Sequence, residues 1–469
     1  MDQILYWNEI ALEANRISFT VEDKKEQGGP TLSSRALGII HIAMHDACIS
    51  VSGSVVYSTY LSLPAPPAGA SVDAAIAGAA HTTLSALYPK QKSFFDKKLN
   101  SLTHILGNED SGHKYGCNVG RAILEKRKND PSNSDAGYFP VTGRGLHKSD
   151  PDNPQGFLAP FYGARSSLFA ATMRHELVSP PFNNLEYTTA VKQVRGKGIA
   201  PDLMGTLPDT YSKRTVDETL IGIFWGYDGA NELGTPPRLY NQVVRTLAIQ
   251  KNNTREQNAR LFALVNIAMA DAGILAWDQK YIHNFWRPVV GIREHDKSMG
   301  STGIATNNIN DDCDPQWLPL GAPKSNSNGS KNFTPDFPAY PSGHATFGAA
   351  AFHIARLFYG VPLGDRKKDT LFDKCNFVSD EFNGVTKDHN GTIRPCHLRS
   401  FKEGLWGMIK ENGLSRVYLG VHWSFDSFKT TSDGITPVFD QKTGGVDLGV
   451  KIAEDIFSSN LQMSAVGPR

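Results

Sequence analysis

The sequence predicts an all-α fold, two four-helix bundles connected by long loops, and three observations predict it. Apolar residues recur every three or four positions through most of the patterned windows. Few segments alternate with period two, so no convincing sheet is expected. A breaker-rich stretch around 130–205 separates an N-terminal helical set, residues 1–205, from a C-terminal one, residues 206–469. A chain of 469 residues is also long for one hydrophobic core, which favours two packed units.

Taken in order, residues 4–17 form the first amphipathic window, and its acidic Glu9 and Glu13 are foreign to a signal peptide. Residues 32–50 repeat the helical period, with Ser33 or Ser34 able to cap it. Residues 72–87 are Ala-rich and uninterrupted, and windows at 91–106 and 111–127 complete the N-terminal set. The stretch 130–162 reads as a long loop. The C-terminal set comprises 216–225, 237–250, 255–287, 343–359, 401–419 and 444–459. Two long polar connections interrupt it, at 301–340 and 364–399, and loops of that length in a compact domain are usually functional.

Composition narrows the function. Lys plus Arg at 48 against Asp plus Glu at 47 gives a net charge of +1, which argues against a nucleic-acid surface, so any basic site is local. Five cysteines without a CxxC pair make neither a disulfide scaffold nor a zinc ribbon. No apolar run is read as approaching the ~20 residues of a membrane span, and no membrane partner is expected. His41, His45 and Asp46 have a zinc-like spacing but sit in an apolar helix, where packing explains them. Asp311, Asp312 and Asp314 lack the Gly and distal Glu of a calcium loop and read as a solvated acidic segment.

Three short motifs carry the chemistry. Lys280 and Arg287 are seven residues apart, nearly two helical turns, so the spacing predicts both on one helix face with Pro288 ending the helix. A solvated basic face would explain an isolated pair. Trp277, Tyr281, Phe285 and Trp286 crowd this one, implying burial, and buried charges need partners. Pro341-Ser342-Gly343-His344 precedes a helix whose N–H groups and dipole suit an oxyanion; Ser342 adds a hydroxyl, Gly343 allows close approach and His344 can move a proton. A plain N-cap beside a surface His is the simpler alternative. In Ser415-Arg416…His422, Gly420 ends one helix so that His422 swings back toward Arg416, with Asp426 placed to orient its ring. A packed His beside Trp423 would also fit. Jointly, three cations, a hydroxyl, a backbone donor and two imidazoles suit a tetrahedral oxyanion such as phosphate or vanadate.

With these motifs in this order, the chain resembles the vanadium-dependent haloperoxidases, in particular the chloroperoxidase-like branch. That superfamily is shared with type 2 phosphatidic acid phosphatases and bacterial acid phosphatases. The resemblance runs over essentially the full length, through Leu5-Tyr6-Trp7-Asn8-Glu9, Ser33-Ser34-Arg35-Ala36-Leu37-Gly38, Ala159-Pro160-Phe161-Tyr162-Gly163, Gly234-Thr235-Pro236-Pro237-Arg238 and Leu448-Gly449-Val450-Lys451-Ile452-Ala453. It implies a vanadate cofactor whose oxygens are bound by Lys280, Arg287, Ser342, Gly343 and Arg416. It further implies that His422 binds vanadium, that His344 is the acid–base residue, and that Asp228 pairs with Arg416. Trp277 and Phe337 would line the halide side. Relatives that prefer bromide tend to carry His where Phe337 stands, so Phe337 implies chloride competence. His283, where fungal members carry an aromatic, is expected to influence charges near Lys280.

The implied reaction oxidises chloride or bromide with hydrogen peroxide to hypohalous acid through a peroxovanadate, halogenating small organic acceptors, with phosphate as a competitor for the site. An acid phosphatase using a phosphohistidine at His422 would employ the same residues. The interval 345–414 is longer than the usual phosphatase insert and favours the haloperoxidase. A non-catalytic oxyanion binder would require a lost catalytic residue, and none is missing.

Overall fold

A computed structural model describes residues 2–102, 111–154, 156–306, 308–432 and 436–469. About 49% of it is helical. Helix α1 (Gln3–Thr20) begins where the Asp2 carboxylate accepts from the N–H groups of Ile4 and Leu5. Helix α2 (Gly29–Ser52) starts earlier than the sequence suggests, with Gly28 at the N-cap and Pro30 in the first turn. Ser33 and Ser34 therefore cap nothing, and their hydroxyls donate back to the carbonyls of Gly29 (2.7 Å) and Thr31 (2.9 Å). Ser71 caps α3 (Val72–Leu87), which coincides with its expected window. Helices α4 (Lys92–Asn100) and α5 (Ser111–Lys126) follow, and residues 103–106 of the expected window lie outside the described residues.

Helix α6 (Leu185–Lys197) lies in the breaker-rich stretch, where the sequence predicts no helix. Tyr187, Ala190, Val191 and Val194 do keep the helical period on its buried face, the Asn184 side chain accepts from Tyr187 N–H at its start, and basic residues occupy its last turn. The C-terminal set then contains α7 (Val216–Phe224), α8 (Pro236–Gln250), α9 (Arg255–His283), α10 (Pro288–Arg293), α11 (Gly343–Phe358), α12 (Gly404–Tyr418) and α13 (Gly444–Ser458). Two antiparallel ladders of two residues per strand pin the long connections: Asn376–Phe377 with Arg399–Ser400, and Lys429–Thr430 with Pro437–Val438.

Helix α9 is the axis of the molecule. Every residue from Asn258 to Lys280 is buried, and the helix packs on α2 on one side and α11 on another. By length and composition it could cross a bilayer, contrary to the expectation that no such run exists. Its apolar stretch is wholly buried inside the protein, as befits a helix apolar all round. Close helix contacts rest on glycine: a Cβ at Gly116 of α5 would stand 1.9 Å from the Ala75 carbonyl of α3, and one at Gly449 of α13 would stand 2.3 Å from the Thr346 carbonyl of α11. Buried side chains from both helical sets merge into one continuous apolar cluster.

One boundary matters for the site. Helix α9 stops at His283 because Asn284 adopts a left-handed conformation (φ 45°) and its N–H returns to the Lys280 carbonyl. Arg287 is extended (φ −82°, ψ 157°) and forms the N-cap position of α10, with Pro288 in its first turn. Lys280 and Arg287 therefore do not share a helix face, and the turn between them directs both inward.

The remaining candidates have structural explanations. His41 Nδ1 is 2.7 Å from the Leu37 carbonyl and His45 Nδ1 is 2.9 Å from Asp46. In the acidic segment Asp311 is exposed and Asp314 half-buried, as a solvated loop would have them, while Asp312 accepts from the Tyr211 hydroxyl at 2.6 Å. No group of three or more His, Cys, Asp or Glu able to hold a metal ion occurs among the described residues, and all five cysteines are free.

Candidate active site

The end of α9, the start of α11 and the turn after α12 converge on one buried cluster. Lys280 Nζ donates to the carbonyls of Pro338 (2.8 Å), Ala339 (3.0 Å) and Pro341 (2.6 Å), which fixes the approach to Ser342. Arg287 donates from Nε to the Phe337 carbonyl at 2.9 Å and from Nη1 to the Val421 carbonyl at 2.7 Å. The same Nη1 lies 2.8 Å from His422 Nε2. The first turn of α11 is held from both ends: Ser342 N–H donates to the Asp426 carbonyl (2.8 Å), while Asn412 (2.8 Å) and the Tyr240 hydroxyl (3.1 Å) donate to the His344 carbonyl. Ser342 Oγ accepts from Ala345 N–H at 3.4 Å. A side chain at Gly343 would meet the Trp277 ring at 3.4 Å, so glycine keeps that space open.

Helix α12 ends as its sequence suggests. Gly420 is left-handed (φ 73°), and the reversal brings His422 N–H to the Arg416 carbonyl at 3.3 Å. Arg416 Nη2 donates to both Asp228 oxygens at 3.1 Å. Asp228 Oδ2 in turn lies 3.8 Å from His344 Nε2. His422 Nδ1 is 2.8 Å from Asp426 Oδ2, and because a guanidinium can only donate, Nε2 must carry the lone pair and Nδ1 the proton.

Basic side chains crowd the cluster. Lys280, Arg287 and Arg416 are all buried (0%, 1% and 0% exposed), and Asp228 is the carboxylate bonded to one of them. Burial would raise Asp228, but Arg416 and then His344 outweigh it and hold it below its ordinary value. Burial, then the Arg287 charge, drive Lys280 far below the usual amine range, and burial lowers Arg287 to about 9. His344 falls to about 3 through burial and the Arg416 charge, and His422 is pushed well down by burial and Arg287. Burial raises Asp426 to about 7 against the pull of Lys280 and Arg287. Arg287 Nη2, Arg416 Nε and Nη1, and His344 Nε2 are buried without a protein partner. Unmatched donors at this density call for an anion rich in acceptors.

A cavity of about 160 Å³ opens onto the cluster. Asp228, Gly343, His344, Arg416 and His422 form its polar end, and Trp277, Phe337, Phe157 and Phe347 form apolar walls. The Trp277 and Phe337 rings are 4.9 Å apart, and Lys280 Nζ and the Arg287 guanidinium each stand 4.9 Å from the Phe337 ring centre. His283 is not among the residues lining the cavity. Its ring packs edge-on against Tyr340 at 5.1 Å, and the charges that act on Lys280 come from Arg287, Asp426 and Arg416.

Sequence reasoning missed three neighbours. Phe157, Asp336 and His147 come from long loops where no periodicity points inward. The strand-like pairing of residues 145–147 with 284–286 delivers His147, whose N–H donates to the Asn284 carbonyl at 2.8 Å. Burial, followed by the Arg287 and Lys280 charges, lowers this imidazole to about 3.

Comparison with known proteins gives the cluster its relatives. Residues 1–162 match the family model described as the vanadium chloroperoxidase N-terminal domain, and residues 260–435 match the VCPO second helical-bundle domain. The vanadium chloroperoxidase of Curvularia inaequalis is 32% identical over 574 aligned positions, covering 98% of this chain and 90% of that protein. Among solved structures, the first bacterial vanadium-dependent iodoperoxidase superposes with a TM-score of 0.65 at 18% identity, covering 96% of this chain and 95% of that one. An apo-type bacterial vanadium-dependent chloroperoxidase does so with a TM-score of 0.57 at 15% identity, covering 93% and 95%. The structural likenesses establish the shared fold; the sequence match, nearly end to end in both proteins, establishes the kinship. This chain belongs to the vanadium-dependent haloperoxidase family.

Proposed function

We propose that this haloperoxidase uses hydrogen peroxide to oxidise chloride as well as bromide, with vanadate held in the cluster described above. The observation that carries the reading is the set of buried, unpartnered donors on Arg287, Arg416 and His344 around the His422 lone pair. A vanadate ion supplies the acceptor oxygens those donors lack. Arg287, Ser342, Arg416 and the Gly343 N–H would hold its oxygens, Lys280 would join them on exchanging one of its three carbonyl bonds, and His422 Nε2 would hold the metal. When bound, vanadate supplies Lewis acidity that activates peroxide with no change of metal oxidation state.

The protein's own groups do the rest. His344 Nε2, free of other partners, takes and returns a proton at a peroxide oxygen. Asp228 stabilises the imidazolium that results, at 3.8 Å, while anchoring Arg416. Lys280 and Arg287, desolvated behind Phe337, draw electron density toward the cluster, and Trp277 and Phe337 keep water from the halide side. Chloride is harder to oxidise than bromide, and two buried cations beside an apolar wall favour the stronger oxidant it requires. Small organic acceptors would react at or beyond the cavity, and phosphate would compete for the same donors.

Steady-state halogenation of vanadate-reconstituted protein with chloride and with bromide, at equal peroxide, tests the halide assignment. Turnover with chloride within tenfold of that with bromide is expected. Bromide turnover with none for chloride would overturn it.

A further inference from the structure

Two buried ionisable side chains beside the cluster have polar atoms that no protein group satisfies. Asp336 lines the cavity immediately before Phe337 and is 3% exposed. Its Oδ2 accepts from Gly156 N–H at 3.1 Å, whereas Oδ1 has no hydrogen-bond partner. His147 is equally buried, neither of its ring nitrogens is bonded, and its Nε2 stands 4.0 Å from that same Oδ1. Leaving buried groups unpaired is costly, so two of them facing each other at a cavity wall require an explanation. Arg287 and Lys280 act on His147, and the ionisable groups on which Asp336 acts are Tyr138, Tyr281 and Arg287.

The chemistry leaves a vacancy of the right kind. On the haloperoxidase reading above, halide plus hydrogen peroxide plus one proton gives hypohalous acid plus water. The O–O bond breaks, an oxygen–halogen bond forms, and the halide gives two electrons to peroxide. That proton comes from solvent each turnover, and a group at the cavity that can hold and release it would relay it to the oxygen. Among the described residues lining the cavity, Asp228 has both oxygens on Arg416, and His422 is tied between Asp426 and Arg287. Arg416 does not release a proton. His344 returns only the proton it took from peroxide and so adds none to this balance. Asp336 alone keeps a free oxygen on the side where Phe337 would meet the halide.

We propose that Asp336 is a further catalytic residue, delivering this proton to the peroxide-derived oxygen, and that His147 is its positioning residue. A neutral imidazole offers either a lone pair or an N–H at Nε2 according to tautomer. On closing the 4.0 Å gap it can therefore accept from the carboxyl O–H or donate to the carboxylate, and so steady Asp336 through both halves of the cycle. The strapping of His147 to the 284–286 segment keeps that contact in register with Arg287.

Asp336→Asn preserves size and an acceptor for Gly156 N–H. It is compared with wild type, both reconstituted with vanadate, across pH, with vanadate affinity measured by equilibrium dialysis. Turnover is expected to fall at least tenfold with affinity changed less than twofold, and added formate, a small diffusible acid, should restore part of the rate in the variant but not raise that of wild type. In vanadate-free protein labelled with 15N-histidine, the His147 ring-nitrogen shifts at one fixed neutral pH, which report its tautomer, should differ between wild type and Asp336→Asn. An unchanged turnover and pH profile would overturn the proposal, as would loss of vanadate affinity in step with turnover without rescue by formate. A wild-type protein that oxidises no halide would instead sink the reading on which the proposal rests, a separate and visible result.

Discussion

His422 Nδ1 donates to Asp426 Oδ2 at 2.8 Å, and this bond leaves the lone pair on Nε2, the atom proposed to hold vanadium. Asp426 is itself fixed by Trp423 N–H, which donates to the same oxygen at 3.0 Å. Partners of this kind set both the tautomer and the basicity of a metal-binding histidine. Asp426→Asn is predicted to weaken vanadate binding by about 10-fold or more. Equilibrium dialysis against orthovanadate checks this; an unchanged dissociation constant would contradict it.

Asp228 acts on two groups at once. Its charge opposes the burial and the Arg416 field that hold His344 at about 3. In Asp228→Asn that support disappears and protonation of His344 becomes harder still. The limb of the turnover profile that depends on protonated His344 should move to lower pH by about one unit. Stopped-flow or steady-state profiles on wild type and variant decide the matter, and coincident profiles would exclude the pairing as a functional one.

Lys280 does more than polarise peroxide. A lysine with that role alone would affect turnover while largely sparing vanadate binding. Its ammonium in fact ties together three carbonyls just before Ser342. A buried carbonyl left without a donor costs about 1–3 kcal/mol. Lys280→Ala is therefore predicted to lower the melting temperature and vanadate affinity together with turnover. Full vanadate affinity at an unchanged melting temperature would show the three bonds to be dispensable.

Acid stability follows from imidazoles held neutral. His41 is lowered to about 4 and His147 to about 3, burial being the main cause in both, against an ordinary value of 6.5. Between those values and 6.5 the unfolded chain binds more protons than the folded one. Their contribution is complete above pH ~6.5 and is lost as pH falls through that window, by up to about 1.4 kcal/mol per pH unit for each imidazole. Urea melts of vanadate-free protein at pH 7 and pH 4.5 should show lower stability at the acid value, with a smaller difference in His41→Gln. Equal stability of wild type at the two pH values would refute the assignment.

Much of this site was legible because its residues lie in motifs where local geometry does the work. Pro341-Ser342-Gly343-His344 opens a helix, and Gly420 turns the chain back so that His422 meets Arg416. Helices such as Val72–Leu87 announced themselves through unbroken apolar period and a serine cap. The helix Leu185–Lys197 is hidden although Tyr187, Ala190, Val191 and Val194 keep its period, because Gly and Pro residues on either side mark the whole stretch as broken. Periodicity failed where a left-handed Asn284 ended a helix four residues before Arg287. An Asn in that conformation looks like any other Asn in a sequence. His147 and Asp336 were invisible for a further reason: they meet through loop backbone pairing across a separation of nearly two hundred residues, which no local pattern encodes.

The central claim is that a vanadate bound at His422 makes this protein oxidise halide. Vanadate-free protein titrated with orthovanadate, in the presence of peroxide and bromide or chloride, tests it most directly. Hypohalous acid formation should rise to a plateau at one equivalent of vanadate, be suppressed by phosphate, and be absent from His422→Ala. Halide oxidation that needs no vanadate, or that survives intact in His422→Ala, would contradict it.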